Sequence, residues 1–525
     1  MGNDTAVIER AQSIALAVRE ACVAQDWSEA VTLLDEHWGL LLDERRDDLD
    51  SALRSIPLKA FRGNPGASAI RDLRMHTAAD SVERMLGPSP AIPDAHDEEA
   101  LDDLARSEIA LKILSVASSR MIAYRVRGHM GRANELAMLV ERLAQIADVH
   151  QPALVHERVP TALLQVGITQ GLANDVGAAA VTLADAYDRS PSSRAHHVAR
   201  DAAGKLALFS AIQGDYDVAT RWIERHNDAP TVVGWQRSRV DLTANAAQCL
   251  IATELLDREA ADAALTQMER PANSEHSWGP LVAYVTARHA LVWGDRLRAL
   301  ELLRQAWDRF TPWLGADSTM APLLRHAEIQ LRLSIRQGHR TQQASELGVQ
   351  HPLALTSQAH IALLEGRFDE AIQVAAKASA TARWSRVRME SLAIQATAYL
   401  RLGRRPAAQS AYDNLVAAMT STGGRLVALV LSSEDHAALG GKARPGRALV
   451  LDREVFASVT EPVKLTRQQR IILDRLDSGV TIREIGAELH LSYNTVKTHL
   501  RALYTRLGAS SRDEALARAR EEGLL

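Results

Sequence analysis

At 525 residues, 46 % hydrophobic and 24 % charged with a formal net charge of −4, the chain has an ordinary globular composition and the length of three or four domains. No apolar run reaches the roughly 18 residues of a membrane span, and Asp4, Glu9, Arg10 and Arg19 interrupt any signal-peptide pattern, so a cytoplasmic protein is expected. Cys22 and Cys249 lie far apart within apolar helical patterns, which favours free thiols over a disulfide or a metal pair, and no cofactor is expected.

Aromatic residues make up only 4 % of the chain, and alternating Val, Ile, Thr or Tyr runs are nearly absent, so the fold expected is all-α. Residues 1–60 read as an N-terminal helical segment whose QDWSEA stretch, Gln25 to Ala30, has the form of a turn followed by a helix start. Residues 61–100 carry RGNPG at 62–66 and GPSPAIP at 87–93, which cannot continue a helix and mark an excursion or linker. From 101 to 432 one pattern recurs: Ala, then Gly seven residues later, then Ala five beyond. Its copies are Ala207, Gly214, Ala219; Ala287, Gly294, Ala299; Ala359, Gly366, Ala371; and Ala396, Gly403, Ala408. The glycines are 80, 72 and 37 residues apart, so the unit is 36 to 40 residues with degenerate copies near Gly131, Gly171, Leu256 and Gly338. Glycine ends one helix, a polar residue opens the next, and the alanines mark where paired helices cross too closely for a larger side chain. GDYDVA and GRFDEA resemble the turn and second helix of tetratricopeptide repeats, though the Trp, Tyr and Pro hallmarks are mostly missing. The resemblance implies helix pairs stacked into a solenoid. Trp235, Trp278, Trp293, Trp307 and Trp313 cluster within it, either as packing between repeats or as the lining of a concave site for a small molecule or peptide.

Residues 433–464 read as a linker containing GGKARPGR, and 465–525 as a compact helical module. Thr466 with Gln469, Thr481 with Glu484, and Ser511 with Glu514 each form a capping-box pair, while Gly479 and Gly508 supply helix stops. Ile482, Ile485 and Leu489 share one stripe of the second helix. His490, Leu491 and Ser492 leave room only for a tight reversal into a third, from about Tyr493 to Leu507. In that helix Val496, Leu500, Leu503 and Leu507 form the inner stripe, and Asn494, Lys497, Thr498 and Arg501 another face. From Tyr493 to Arg512 there are four basic residues and no acidic one, within a chain of negative net charge. A helix of this kind fits the major groove, where Lys and Arg donate to guanine and a Thr methyl packs on thymine.

The runs LTRQQRIIL, EIGAELHLS, TVKTHL, LYTRLG and SSRDEALARARE resemble the DNA-binding domain of LuxR-type transcription regulators, over about 61 of the 525 residues. The resemblance implies a four-helix helix-turn-helix domain in which Lys497, Thr498 and Arg501 face bases, and Thr495 and His499 lie near the backbone. Thr481, Arg483, Asn494 and Arg506 are expected to join the phosphate contacts, and the fourth helix, Ser511 to Glu522, to pair two protomers. Two positions depart from the family: Gln469 stands where Glu is usual and Gly486 where Ala is usual.

No G-x-x-x-x-G-K-[ST] loop is present, since Gly440, Gly441, Lys442 lacks its preceding strand and its hydroxyl residue. His196 and His197 point apart on a helix, and the carboxylates form no paired site, so an enzyme is not expected. The sequence therefore points to a transcription regulator that binds double-stranded promoter DNA as a homodimer and acts on the transcription machinery. Its solenoid would receive an unidentified small-molecule, peptide or protein effector. The alternative is a tetratricopeptide-like interaction scaffold with weak or accessory DNA binding.

Overall fold

The computed structural model describes residues 2–61, 67, 71, 95–107, 109–152, 158–190, 196–231, 236–268, 276–335, 351–440, 455–456, 465–507, 509, 511–521 and 524–525. Among these residues the regular elements are all helical, and none is long and apolar enough to cross a membrane. Helices α1 (Gly2–Val23), α2 (Trp27–Glu44) and α3 (Arg46–Ser55) share a core of their own around Val18, Leu34, Leu49 and Leu53. Gln25, at φ +58°, reverses the chain between α1 and α2, and Asp26 accepts a hydrogen bond from the Glu29 amide to open α2.

After α4 (Glu98–Arg106) the chain becomes a series of helical hairpins: α5 (Ala110–Val126) with α6 (Met130–His150), α7 (Val159–Leu172) with α8 (Val176–Arg189), α9 (His196–Gln213) with α10 (Tyr216–Asp228), and α11 (Gln236–Leu255) with α12 (Arg258–Met268). They continue as α13 (Gly279–Val292) with α14 (Arg296–Arg309), then α15 (Met320–Ser334), α16 (Pro352–Leu364) with α17 (Phe368–Thr381), and α18 (Ser385–Arg401) with α19 (Arg405–Thr422). The first helices α9, α11, α13, α15, α16 and α18 pack one on the next as an inner row. Their sequences show why. PLALTSQAHIALL of α16 is apolar nearly all round and buries most of its residues, whereas FDEAIQVAAKASAT of α17 buries a single stripe of Ala371, Ala375 and Ala378.

The repeat pattern places these hairpins correctly. All eight alanines of its four copies are at most 2 % exposed, which is the close helix crossing the spacing predicts. Gly214, Gly366 and Gly403 adopt left-handed backbone, and so does Leu256, in the degenerate copy. Two degenerate copies shift: the left-handed turn residue is Gly128 rather than Gly131, and Asn174 rather than Gly171. Gly171 is a packing position instead, where a Cβ would lie 2.1 Å from the Phe209 ring. Gly294 ends its helix without positive φ, and Gly338 lies outside the described residues.

The winding is tighter than an open trough. Trp313 Nε1 donates to the Arg125 carbonyl at 3.0 Å, and the Thr319 amide donates to the Leu172 carbonyl at 3.0 Å, each across well over a hundred residues. A Cβ on Gly214 would lie 2.6 Å from the Arg386 backbone nitrogen, so both the +95° φ and the close approach require glycine there. The tryptophans serve this packing: Trp278 is 6 % exposed against Phe209, Trp307 stacks under Arg325 at 4.2 Å, and Trp235 lies outside the described residues.

The expected linker starts late. A 3-10 turn, Leu426–Val430, leads into α20 (Ser433–Gly440), where buried Asp435 pairs with Arg401 at 2.6 and 3.0 Å and Leu439 joins the solenoid core. Val455 and Phe456 belong to that core as well. Most of GGKARPGR, and most of the 61–100 excursion, lies outside the described residues. The last unit comprises α21 (Arg467–Asp477), α22 (Ile482–Glu488), α23 (Tyr493–Leu507) and α24 (Arg512–Glu521), with a separate core around Leu473, Leu476, Ile485 and Leu500.

Candidate nucleic-acid interface

Local hydrogen bonding sets where each helix of the last unit begins. Thr466 and Gln469 close a full capping box at α21, and Thr481 and Glu484 another at α22. Hydrogen bonds from the Thr481 hydroxyl and amide hold the Glu484 carboxyl below its ordinary pKa. At α24 the Glu514 amide donates to the Ser511 hydroxyl. Gly479, at φ +82°, ends α21, and Gly508 lies outside the described residues.

Between α22 and α23 the reversal turns on His490 at φ +54°, and the Leu491 amide returns to the Gly486 carbonyl at 2.8 Å. Here the departure at Gly486 has a physical reason: a Cβ would come 2.9 Å from the Leu491 carbonyl oxygen. Ser492 opens α23 by accepting from the Thr495 amide at 3.1 Å, with its hydroxyl 2.8 Å from that of Thr495. Val496, Leu500, Leu503 and Leu507 are buried against α21 and α22, which turns the opposite face of α23 outward.

On that face Lys497, Thr498 and Arg501 are exposed, as are Asn494 and, at the start of α22, Thr481 and Arg483; Thr495 and His499 are half-buried beside them. The side chains of Lys497 and Arg501, one helical turn apart, make no hydrogen bond or ion pair with the described residues, although the Arg501 carbonyl accepts from the Thr505 hydroxyl at 2.9 Å. The Thr498 hydroxyl donates to the Asn494 carbonyl, so its proton is committed to the backbone and its oxygen can only accept from a further partner. Tyr493 is a large exposed aromatic at the head of the same helix, 47 % accessible, which the sequence reading did not single out.

The basic cluster divides into two groups. Arg506 donates to Gln469 Oε1 at 2.7 Å, tying α23 to the α21 cap while remaining exposed, and Arg512 donates to the Leu476 carbonyl at 2.6 Å at the end of α21. Arg506 and Arg512 therefore brace the module, whereas the side chains of Lys497, Arg501 and Arg483, like those of Arg467 and Arg470 on α21, have no internal partner among the described residues. The Gln469 side chain serves two purposes at once, since its Oε1 also accepts from the Thr466 amide at 3.0 Å.

Two short helices joined by a tight turn, with a third packed beneath and the second presenting an uncommitted polar face, define a helix-turn-helix domain. Residues 463–519 match the family described as bacterial regulatory proteins, luxR family, so the chain carries a luxR-family domain in this segment. Over 69 residues it is 42 % identical to the "Probable transcriptional regulatory protein NarL" of Mycobacterium tuberculosis, covering 13 % of this chain and 32 % of that protein. Over 54 residues it is 44 % identical to the "Probable HTH-type transcriptional regulator GfsR" of Streptomyces halstedii, and over 62 residues 37 % identical to the CsgBAC operon transcriptional regulatory protein of Escherichia coli. These matches cover 10 % and 12 % of this chain, and 22 % and 29 % of the two relatives. The chain thus matches a third or less of each of these relatives' length. Among solved structures, yeast Tom70 aligns with 78 % of this chain and 99 % of its own at 13 % identity and a TM-score of 0.33.

Proposed function

We propose that the protein is a DNA-binding transcription regulator in which the helical hairpins receive a signal and the luxR-family domain delivers it at promoter DNA. In this reading α23 enters the major groove with Lys497, Thr498 and Arg501 toward the bases. Thr481, Arg483, Asn494, Thr495, His499 and Arg506 lie toward phosphates, where they fix register without reading sequence. Two protomers bind together, their α23 helices in successive grooves about 34 Å apart. The effector at the hairpins is a small molecule, a peptide or a protein, and the complex acts on the transcription machinery in the cytoplasm.

One observation carries the reading: Lys497 and Arg501 stand exposed and uncommitted on the outward face of α23, while their basic neighbours Arg506 and Arg512 are engaged inside the module. The test is the salt dependence of duplex binding by the full chain. Each neutralised phosphate releases counterions, so affinity should fall about 10³-fold or more between 50 and 200 mM salt if some six phosphates are contacted. No binding at 50 mM salt would reject DNA as the partner and leave a protein-interaction scaffold.

A further inference from the structure

The solenoid buries charge at its centre. Arg288 donates to Glu254 Oε1 at 2.8 Å; Arg386 donates to the Tyr216 hydroxyl at 2.9 Å and to the Tyr284 hydroxyl; and His326 pairs with Glu390 at 3.1 Å. These residues come from four of the inner helices, α11, α13, α15 and α18, and from Tyr216 at the head of α10. Above them a cavity is walled by Tyr216, Arg288, Arg386, Met389, Glu390 and Phe456, with about 20 Å³ left free, room for one water.

Phe456 closes it. The ring stands edge-on to His360, with centroids 4.6 Å apart, and Val455 and Phe456 are 4 % and 8 % exposed. Yet this occupant fits only the apolar part of its surroundings. Arg386 Nε and both ring nitrogens of His360 are buried without a hydrogen-bond partner among the described residues. A core selected solely for stability leaves few such atoms, because each costs free energy when it is desolvated unpaired. A phenyl ring fills the space and satisfies none of them.

The position of Phe456 in the chain gives its seating a consequence. Only residues 457–464 separate it from Leu465, so while it is seated the helix-turn-helix domain starts within about 30 Å of the cavity. Measured instead from Gly440, the next described residue upstream, 25 residues allow a reach of about 85 Å. Two α23 helices must lie about 34 Å apart on DNA, and the shorter tether holds each domain beside its own solenoid.

We propose that the Phe456 slot is a ligand site of the solenoid, filled in the unliganded chain by the chain's own Val455–Phe456. Its ligand joins a phenyl-sized apolar group to a polar head carrying an acceptor for Arg386 Nε, and its binding lengthens the tether. The inference rests on the reading of the solenoid as receiver and of the last unit as DNA-binding.

The test uses the full chain and its Phe456→Ala variant, with Val455→Ala as a milder truncation. Trypsin cleavage after Arg453 and Lys464 should accelerate about tenfold or more in Phe456→Ala and by less in Val455→Ala, since cleavage tracks the open population. A labelled peptide of residues 451–461, LDREVFASVTE, should bind Phe456→Ala and not the unaltered chain, and its own Phe→Ala version should bind neither. Cleavage within twofold of the unaltered chain, or equal peptide binding by both chains, overturns the proposal. Affinity for mixed-sequence duplex DNA is measured alongside. Faster cleavage and peptide capture with no DNA binding by either chain would uphold the slot and reject the DNA-binding reading.

Discussion

Replacing Arg386 by Met removes one guanidinium from the centre of the solenoid and keeps most of its aliphatic volume. The guanidinium joins α18 to the Tyr216 hydroxyl at 2.9 Å, the Ala211 carbonyl at 3.4 Å, the Tyr284 hydroxyl and, at 3.6 Å, the Glu254 carboxylate. Burial opposes its charge, but the surrounding hydroxyls and carboxylates hold its pKa well above the ordinary value. Breaking a buried pair costs about 3–5 kcal/mol when a charge is left alone. Here Glu254 keeps Arg288 at 2.8 Å, so the loss reduces to two tyrosine hydrogen bonds from a charged donor, offset by recovered desolvation, and about 2–3 kcal/mol remains. The protein has separate hydrophobic cores, so one global unfolding energy is ill-defined. Native-state hydrogen exchange of the amides in α9, α11 and α18 reads the effect where it occurs. Arg404→Met, which removes an exposed pair with Asp369 at 2.9 Å, should change protection by less than about 0.5 kcal/mol. Equal small effects from both substitutions would refute the reasoning that Arg386 joins the hairpins.

Four further expectations follow from the same structure. Ala396→Leu forces bulk into a fully buried helix crossing and should destabilise the solenoid by about 1–3 kcal/mol, visible as a lower urea midpoint. Burial brings the His360 pKa down to about 4, so below its ordinary 6.5 the unfolded chain takes a proton that the native one refuses. Stability of α16 should be level above pH 6.5 and fall by up to about 3 kcal/mol as pH drops to 4, and His360→Leu should flatten that slope in exchange-detected stability. Gln469→Ala removes a capping partner and the Arg506 contact and should lower the melting of the last unit by about 1 kcal/mol, whereas Gln469→Glu should keep most of it, as differential scanning calorimetry would report. Arg501→Ala should cost about 1–3 kcal/mol of specific DNA affinity in a shift assay and relax the preference at one base position.

The helix-turn-helix unit was legible because its signals are local. Capping pairs, a left-handed glycine and the Val496, Leu500, Leu503, Leu507 stripe each act within a few residues, and the structure reproduces them. The alanine and glycine pattern of the hairpins was legible for the same reason. What the sequence hid is long-range. Glu254, Arg288, Arg386 and Glu390 look like surface charges until the superhelix brings together helices more than a hundred residues apart, and the only hint was their place within otherwise apolar first helices. Arg506 and Arg512 count with Lys497 and Arg501 in one basic, acid-free stretch because spacing alone cannot show that two of the four reach back to Gln469 and Leu476. Phe456 sat in a stretch with linker composition and gave no periodic signal at all.

In the proposed DNA-binding reading, the distinction between bracing and uncommitted cations of the last unit separates the candidates for base contact from the rest. An arginine that donates to Gln469 can still reach a phosphate with its remaining N–H groups, but base readout needs a side chain free to lie in the groove. Lys497 and Arg501 meet that requirement, and Thr498 between them offers a methyl.

Selection of bound sequences from a random duplex library, performed with the full chain and with Lys497→Ala/Arg501→Ala, tests the central claim most directly. The expected result is an enriched motif built of two inverted half-sites about 10 base pairs apart, and loss of preference at defined positions of each half-site in the double variant while residual binding stays salt-dependent. No enriched motif from the unaltered chain, or the same motif from both proteins, would contradict it.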